Sequence, residues 1–172
     1  MRERADADRI RSFMRAAGAA ATREGICYLT GGATAVLVGW RGTTIDVDVA
    51  LEPEQDELLR ELPRIKNELG INVELASPRD FIPVPAAWEE RSVTVGREGR
   101  LAFAHFDPYS QALSKLERRH AHDLEDVEAM IERGLVERAR LALLFEEIEP
   151  ELYRFPAIDP ARFRAAVELH ST

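Results

Sequence analysis

The sequence predicts an α/β (α+β) fold, a mixed β-sheet core flanked by helices, with a C-terminal helical portion. Two observations lead to this prediction. Up to residue 106, short apolar runs with the two-residue period of strands alternate with stretches of helical period. From Asp107 onward every apolar pattern is helical. We expect an α/β core over residues 1–106 and a helical portion over 107–172, either packed on the core or continuous with it as one domain.

Helices and strands alternate in the first part of the chain. Asp6 or Asp8 is expected to cap a first helix, in which Ile10 and Phe13 share an apolar face. Residues 26–29 form a short apolar run typical of a buried strand. Further elements are predicted at 33–38 (helix), 44–51 (strand), 52–69 (helix, kinked or split at Pro63) and 71–76 (strand, with Val73 and Leu75 inward).

A proline-rich loop and a hairpin connect the strands to the helical portion. The runs 92–95 and 101–106 flank a turn with a glycine at each end, which is typical of a hairpin. Asp107 followed by Pro108 matches a helix N-cap with proline at the first helical position. Helices are then predicted up to 119 and over 124–131, 135–148 and 160–169.

Composition excludes several classes of protein. The formal net charge of -8 argues against broad adhesion to nucleic acid or to an anionic membrane, although a local basic pocket remains compatible with it. Cys27 is the single cysteine, so no disulfide framework or cysteine-based zinc site is expected. The N-terminal residues do not resemble a signal peptide, and no apolar stretch reaches membrane-spanning length. We therefore expect a cytoplasmic protein without a membrane partner.

Two aspartates lie two residues apart on the predicted strand 44–51. Asp46 and Asp48 should share one face, while Ile45, Val47 and Val49 share the other. The two carboxylates repel each other unless a cation or a basic side chain lies between them. Such a pair can bind Mg²⁺, whose coordination is usually completed by substrate phosphates. The alternative is an ordinary solvated strand face.

A glycine pair, Gly31-Gly32, follows the first strand and precedes an apolar helix. Glycines at such a turn let backbone N–H groups approach an anion. The pair lacks the lysine of a Walker A loop and the third glycine of a dinucleotide fingerprint. By itself it also fits a simple tight turn.

Together these segments resemble the nucleotidyltransferase fold, and in particular the small bacterial AbiEii/MenT-type toxin nucleotidyltransferases. The pattern runs through residues 30–32, an apolar helix, and residues 41–48, where Arg41 and Thr43 precede the two aspartates in register. The family's usual serine after the glycines is replaced by Ala33, with Thr34 next. The resemblance continues in SKLERRHAHDLEDVEAMI, which is residues 114–131.

The resemblance implies a set of site residues. Glu74 would be a third acid on a later strand, Lys115 would reach the triphosphate, and Asp123 would help to orient the site. The complete implied set is, for nucleotide binding, Gly31, Gly32, Thr34, Arg41, Thr43 and Lys115; for metal binding, Asp46, Asp48 and Glu74; and for catalysis, Asp46, Asp48, Lys115 and Asp123.

Helix geometry leaves two alternatives for Lys115 and Asp123. On one unbroken helix, residues eight apart lie about 12 Å apart along the axis and do not touch. Either the helix breaks near residues 120–122, or the two side chains serve different parts of the ligand. Arg119 and Asp123 have the spacing of a helix-face ion pair, and Arg118 and Asp126 are expected on a solvated face.

The resemblance implies transfer of a nucleoside monophosphate from a nucleoside triphosphate, with Mg²⁺ or Mn²⁺ as cofactor. The acceptor would be RNA, a protein or a small molecule, and an antitoxin-like protein is a candidate partner. The alternative is a catalytically inactive module that binds a partner protein, for which Ala33 and Glu74 argue. A His/Asp metal site around residues 120–123 is a rival, but only His105 and His170 remain to complete it.

Overall fold

The computed structural model describes residues 2–172, which divide into two compact units. The first unit comprises Met1–Ser77 and Val93–His105, and the second comprises Pro78–Ser92 and Phe106–Thr172. The proline-rich segment 78–92 therefore groups with the helical residues. The division into folding domains at 1–106 and 107–172 stays a prediction.

The first unit is built on a five-stranded sheet. Its strand order is β3-β2-β1-β5-β4, in which β1 pairs parallel with β5, β2 pairs parallel with β3, and the two remaining pairs are antiparallel. The elements are α1 (Ala7–Ala20), β1 (Gly25–Thr30), α2 (Gly32–Val38), β2 (Asp46–Glu52), α3 (Asp56–Leu69), β3 (Asn72–Leu75), β4 (Val93–Glu98) and β5 (Leu101–His105). The predicted mixed α/β fold and the β4–β5 hairpin are confirmed.

One face of this sheet carries the core of the first unit. The apolar faces of α1 and α3 pack there because their buried residues recur at helical spacing. Asp6 caps α1 and accepts a hydrogen bond from Arg9 N at 2.9 Å, as predicted. The thiol of Cys27 is fully buried, and burial raises its pKa. The strand residues in the core include Cys27, Leu29, Val47, Val49, Leu51, Leu101 and Phe103.

The helix that was predicted to be kinked or split at Pro63 is not split. α3 runs continuously from Asp56 to Leu69 with Pro63 inside it. The proline removes one backbone donor, whereas Leu58, Leu62 and Ile65 are buried on both sides of it. Packing of the apolar face therefore stabilises a single helix across Pro63.

Two apolar residues lie outside the core, contrary to expectation. Ile45 is 62% exposed because β2 begins only at Asp46. Leu75 is 50% exposed at the end of β3, which is an edge strand with a neighbour on one side. The inward set of the two strands is therefore Val47, Val49, Leu51 and Val73.

The second unit is helical. Its elements are a 3₁₀ turn (Pro78–Asp80), α4 (Trp88–Arg91), α5 (Pro108–Arg118), α6 (Ala121–Glu132), α7 (Arg138–Ile148), a second 3₁₀ segment (Glu149–Arg154) and α8 (Pro160–His170). Asp107 caps α5, as predicted, and accepts from Tyr109 N at 3.1 Å. α5 contacts α6, α7 and α8, and the rings of Phe145 and Phe163 lie 4.9 Å apart in this core. The C-terminal helical part is thus confirmed.

Within residues 2–172, every helix is too short or too polar to cross a lipid bilayer.

Candidate functional site

Three acidic side chains line neighbouring positions on β2 and β3. Asp46 is paired with Asn72, and Asp48 is paired with Glu74, in a parallel register. Residues paired in this way point to the same side of a sheet, and residues two apart on a strand do so as well. Val47 and Val49 occupy the opposite, buried side. Asp46, Asp48, Asn72 and Glu74 therefore form one polar patch on the face away from the core.

Asn72 connects two of these acids. Its Nδ2 donates to Asp46 Oδ1 at 2.7 Å and to Glu74 Oε1 at 2.8 Å. The two amide hydrogens thus stabilise carboxylates that would otherwise repel each other. Arg2 Nη1 in turn donates to Asn72 Oδ1. A donor placed between two carboxylates marks a point where positive charge is favourable.

The glycine turn lies against Asp48. Gly31 has φ of +59°, a conformation that favours glycine, and a Cβ on it would lie 3.3 Å from Asp48 Oδ2. A Cβ on Gly32 would lie 2.0 Å from Thr44 Oγ1, which is too close for any side chain. The glycine pair therefore brings the backbone of the turn close to Asp48 and Thr44.

Thr34 lies inside the first unit. Its hydroxyl donates to Leu29 O at 3.3 Å and lies 3.0 Å from His105 Nδ1. Thr34 is 1% exposed, and burial lowers the pKa of His105 to about 4. The hydroxyl therefore joins the ends of β1 and β5, and its role in nucleotide binding stays a prediction.

The two remaining predicted nucleotide contacts of the first unit lie just before β2. Thr43 is partly exposed, and its hydroxyl accepts from Arg4 Nε at 2.9 Å. Arg41 is partly exposed, and its backbone N–H donates to Ala35 O at 3.2 Å at the end of α2. Both residues lie on the chain that leads from the glycine turn to Asp46.

In the second unit, Lys115 lies in a buried cluster of charges. Its Nζ is 2.7 Å from Asp126 Oδ2 and 3.7 Å from Asp123 Oδ1, and the side chains of all three residues are at most 8% exposed. Arg118 donates to both oxygens of Asp123, from Nε at 2.8 Å and from Nη2 at 2.6 Å. Buried charges need such compensation, because removing one partner leaves the other uncompensated.

A helix break makes this cluster. α5 ends at Arg118, Arg119 adopts a left-handed conformation with φ of +57°, and α6 begins at Ala121. Of the two alternatives for Lys115 and Asp123, the break is the correct one. Burial opposes ionisation of Asp123, but the hydrogen bond from Arg118, the charges of Arg118 and Lys115, and the His120 N–H outweigh it and lower its pKa.

Two expectations for this segment are wrong. Asp126 is 1% exposed and bonded to Lys115, and Arg118 rather than Arg119 pairs with Asp123. Arg118 is exposed, as expected, whereas the expectation of a solvated face for Asp126 assumed one continuous helix. The break at Arg119 turns the acids of α6 toward α5 instead.

A protein-only metal cage is absent from the described part of the chain. No group of three or more His, Cys, Asp or Glu side chains among residues 2–172 is arranged to hold an ion, and this includes the histidines near 120–122. Mg²⁺ is usually bound by one or two carboxylates together with substrate phosphates and water. Asp46 and Glu74, which converge on one amide nitrogen, fit this kind of partial site.

One family comparison identifies the class of protein. The profile of a family described as "Nucleotidyltransferase of unknown function (DUF6036)" matches residues 10–157. The chain belongs to this family. DUF6036 membership makes it a nucleotidyltransferase-type protein, while the narrower likeness to AbiEii/MenT-type toxins stays a prediction. No curated protein and no solved structure matches the chain.

The DUF6036 match spans both units, and each carries part of the predicted site. The first unit brings together Gly31, Asp46, Asp48 and Glu74, and the second brings together Lys115 and Asp123. Sequence reasoning missed Asn72, although it lies two residues before Glu74 on the same strand face. It also missed the contact of Asp126 with Lys115, although Asp126 lies three residues after Asp123 on one helix face.

Proposed function

We propose that this protein transfers a nucleoside monophosphate from a nucleoside triphosphate to a hydroxyl group of an acceptor, with release of pyrophosphate and with Mg²⁺ or Mn²⁺ as cofactor. The observation that carries the proposal is the alignment of Asp46, Asp48 and Glu74 on one face of two paired strands, beside the Gly31 turn. A structural sheet face has no need for three carboxylates in adjacent positions, because like charges destabilise it.

Asp46, Asp48 and Glu74 would supply carboxylate ligands to a partial metal site that substrate phosphates and water complete, and the bound metal would stabilise the charge that develops on the entering and leaving oxygens. The chain's own groups then have defined tasks. The carboxylates would hold the metal, and the glycine turn leaves room for the phosphates. In the first unit, Arg41 would supply positive charge toward them.

Lys115 and Asp123, which the resemblance assigns to the site, lie together in the second unit. Nζ of Lys115 is 2.7 Å from Asp126 and 3.7 Å from Asp123, and Arg118 pairs with Asp123. We assign Asp123 the task of fixing Lys115 in position. RNA, a protein and a small molecule remain the candidate acceptors, and an antitoxin-like protein is the candidate partner.

A catalytically inactive module that binds a partner protein is the second candidate. Two observations favour it. Ala33 is fully buried where the resembling toxins carry a serine, and the hydroxyl of Thr34 is directed to His105 in the interior. The hydroxyl contact to the phosphates would then be lost.

The test measures thermal stability of the whole chain with ATP, GTP, CTP or UTP, each with and without Mg²⁺, followed by transfer of label from an α-phosphate-labelled nucleotide. We expect stabilisation only when metal and nucleotide are both present. Asp46→Asn should abolish the thermal stabilisation by metal and nucleotide, and should reduce the rate of label transfer by at least about a hundredfold. Asp8→Asn, at a 98% exposed carboxylate on α1, is the matched control. No response of the wild-type chain to any nucleotide would refute the enzyme and favour the module.

A further inference from the structure

A short segment at the start of the chain crosses the edge of the candidate site. We call residues 2–5 the N-terminal arm. Its backbone is fixed by Ala5, which exchanges hydrogen bonds with Thr44 at 2.7 and 2.9 Å, and by Glu3, whose N–H donates to Gly70 O at 2.7 Å. These anchors hold the arm beside the starts of β2 and β3, within the first unit.

The arm brings one arginine to the polar patch and a second to Thr43, just before β2. Arg4 Nε donates to the Thr43 hydroxyl at 2.9 Å, and Arg2 Nη1 donates to Asn72 Oδ1. Arg2 and Arg4 lie two apart on an extended segment, so they share one side of it, whereas Ala5 is fully buried. Both arginine side chains are exposed.

Each guanidinium uses only part of its hydrogen-bonding capacity. A guanidinium carries five N–H donors in a planar fork that matches a phosphate group. Within residues 2–172, Arg4 donates through Nε alone, and Arg2 through Nη1 alone. The remaining N–H groups point to solvent at the rim of a patch that also carries three carboxylates.

We propose that the N-terminal arm is a phosphate clamp, in which Arg2 and Arg4 bind the phosphate groups of the nucleotide. This inference rests on the proposed function. Arg4 would hold phosphate oxygens while it retains Thr43, and Arg2 would do so from its anchor on Asn72, which orients Asp46 and Glu74. The arm thereby couples the metal ligands to the phosphates.

The clamp should lower the affinity of the site for a free metal ion, whereas it raises the affinity for nucleotide. Two positive charges at the rim disfavour a bare divalent cation at the acids but favour a cation that arrives with a triphosphate. The arm therefore selects the metal–nucleotide complex over the free metal. A purely structural arm would not change the two affinities in opposite directions.

The experiment compares the wild-type chain with Arg2→Ala/Arg4→Ala. Binding of Mg²⁺ with nucleotide is measured by calorimetry, and binding of Mn²⁺ alone is measured by electron paramagnetic resonance. We expect the dissociation constant for nucleotide to rise about tenfold or more, and that for Mn²⁺ alone to fall. Arg2→Lys/Arg4→Lys keeps the charge but not the planar fork of donors. Its dissociation constants should lie between those of the wild type and those of the double alanine variant. Arg11→Ala/Arg15→Ala removes the same charge from exposed positions of α1 and should match the wild type.

The outcomes separate the two proposals. If the wild-type chain binds nucleotide and the folded double alanine variant binds it equally well, the clamp is refuted while the proposed function stands. If the wild-type chain binds no nucleotide, the proposed function fails and the clamp falls with it. Should the double variant unfold, the single changes Arg2→Ala and Arg4→Ala are measured in the same way, and an unchanged affinity in both overturns the clamp.

Discussion

Asp48 and Glu74 are direct partners across two parallel strands, and their side chains lie on the same side of the sheet. Opposed like charges weaken a sheet, typically by a fraction of a kcal/mol. The nearby Asn72 amide reaches Glu74 and Asp46 and offsets part of this repulsion. The proposed metal site gives a reason for this pairing, because a bound cation would remove the remaining repulsion.

Removing one of these two charges should therefore have opposite effects on stability and binding. We expect Glu74→Gln to raise the free energy of unfolding of the metal-free chain by about 0.2–1 kcal/mol, because the repulsion from Asp48 is lost. The same variant should lose most of the stabilisation by Mg²⁺ and nucleotide together. Urea unfolding with and without both ligands measures the two effects.

Glu90→Gln is the control for this change, since Glu90 is exposed on α4. It should leave both quantities within about 0.5 kcal/mol of the wild type. A Glu74→Gln variant that is less stable without metal would contradict the repulsion between Asp48 and Glu74.

Asp126 should be essential for the stability of the second unit. Asp126→Asn leaves Lys115 buried with Asp123 alone at 3.7 Å, so we expect a loss of about 3 kcal/mol in the free energy of unfolding. In a double-mutant cycle with Lys115→Met, the two changes should be far from additive. Glu125→Gln, at the exposed position before it on α6, should be nearly neutral. An additive cycle would show that the contact contributes nothing.

The free energy of unfolding should decrease as the pH is lowered, because His105 is buried in its neutral form. Its pKa drops from 6.5 to about 4 on folding, so the unfolded chain binds the proton more readily between these values. The contribution of neutral His105 to the free energy of unfolding is fully present above pH 6.5. It is lost as the pH falls toward 4, and the total loss is about 3 kcal/mol.

His105→Gln should remove this part of the slope, as followed by urea unfolding between pH 7 and 4. His122→Gln, at an exposed position, should keep the slope. An unchanged slope in His105→Gln would show that other groups cause the pH dependence.

The glycine turn allows a test of close packing. Gly32→Ala places a methyl group 2.0 Å from Thr44 Oγ1 and 2.7 Å from Thr44 Cβ, so Thr44 or the turn must move. We expect a loss of about 1–3 kcal/mol in the free energy of unfolding. Gly42→Ala, where a Cβ meets nothing within 4 Å, is the matched control and should cost much less. Equal stabilities would mean that the turn rearranges freely.

Local patterns predicted most of the fold. The two-residue period placed Val47 and Val49 inside and Asp46 and Asp48 outside, because burial of one face dictates that alternation. The cap at Asp107 and the buried face of α7 were likewise predictable from residue type and spacing. A split at Pro63 does not occur, because the packing of α3 outweighs the local preference of proline.

The remaining features depend on contacts between distant parts of the chain. The pairing of Asp48 with Glu74 follows from the register of β2 and β3, which neither strand's own pattern specifies. The contact between Lys115 and Asp126 depends on Arg119 in a left-handed conformation, a residue type that gives no local signal of a break. The N-terminal arm is too short to show any periodicity.

The burial of Cys27 makes the native chain inert toward thiol-reactive dyes, since its only thiol is shielded within β1 and resists ionisation. A cysteine introduced at Leu75, half exposed beside Glu74, would carry a single fluorophore without any prior removal of native thiols. The arrival of ligands at the acidic patch would then be visible as a change in emission from one defined position.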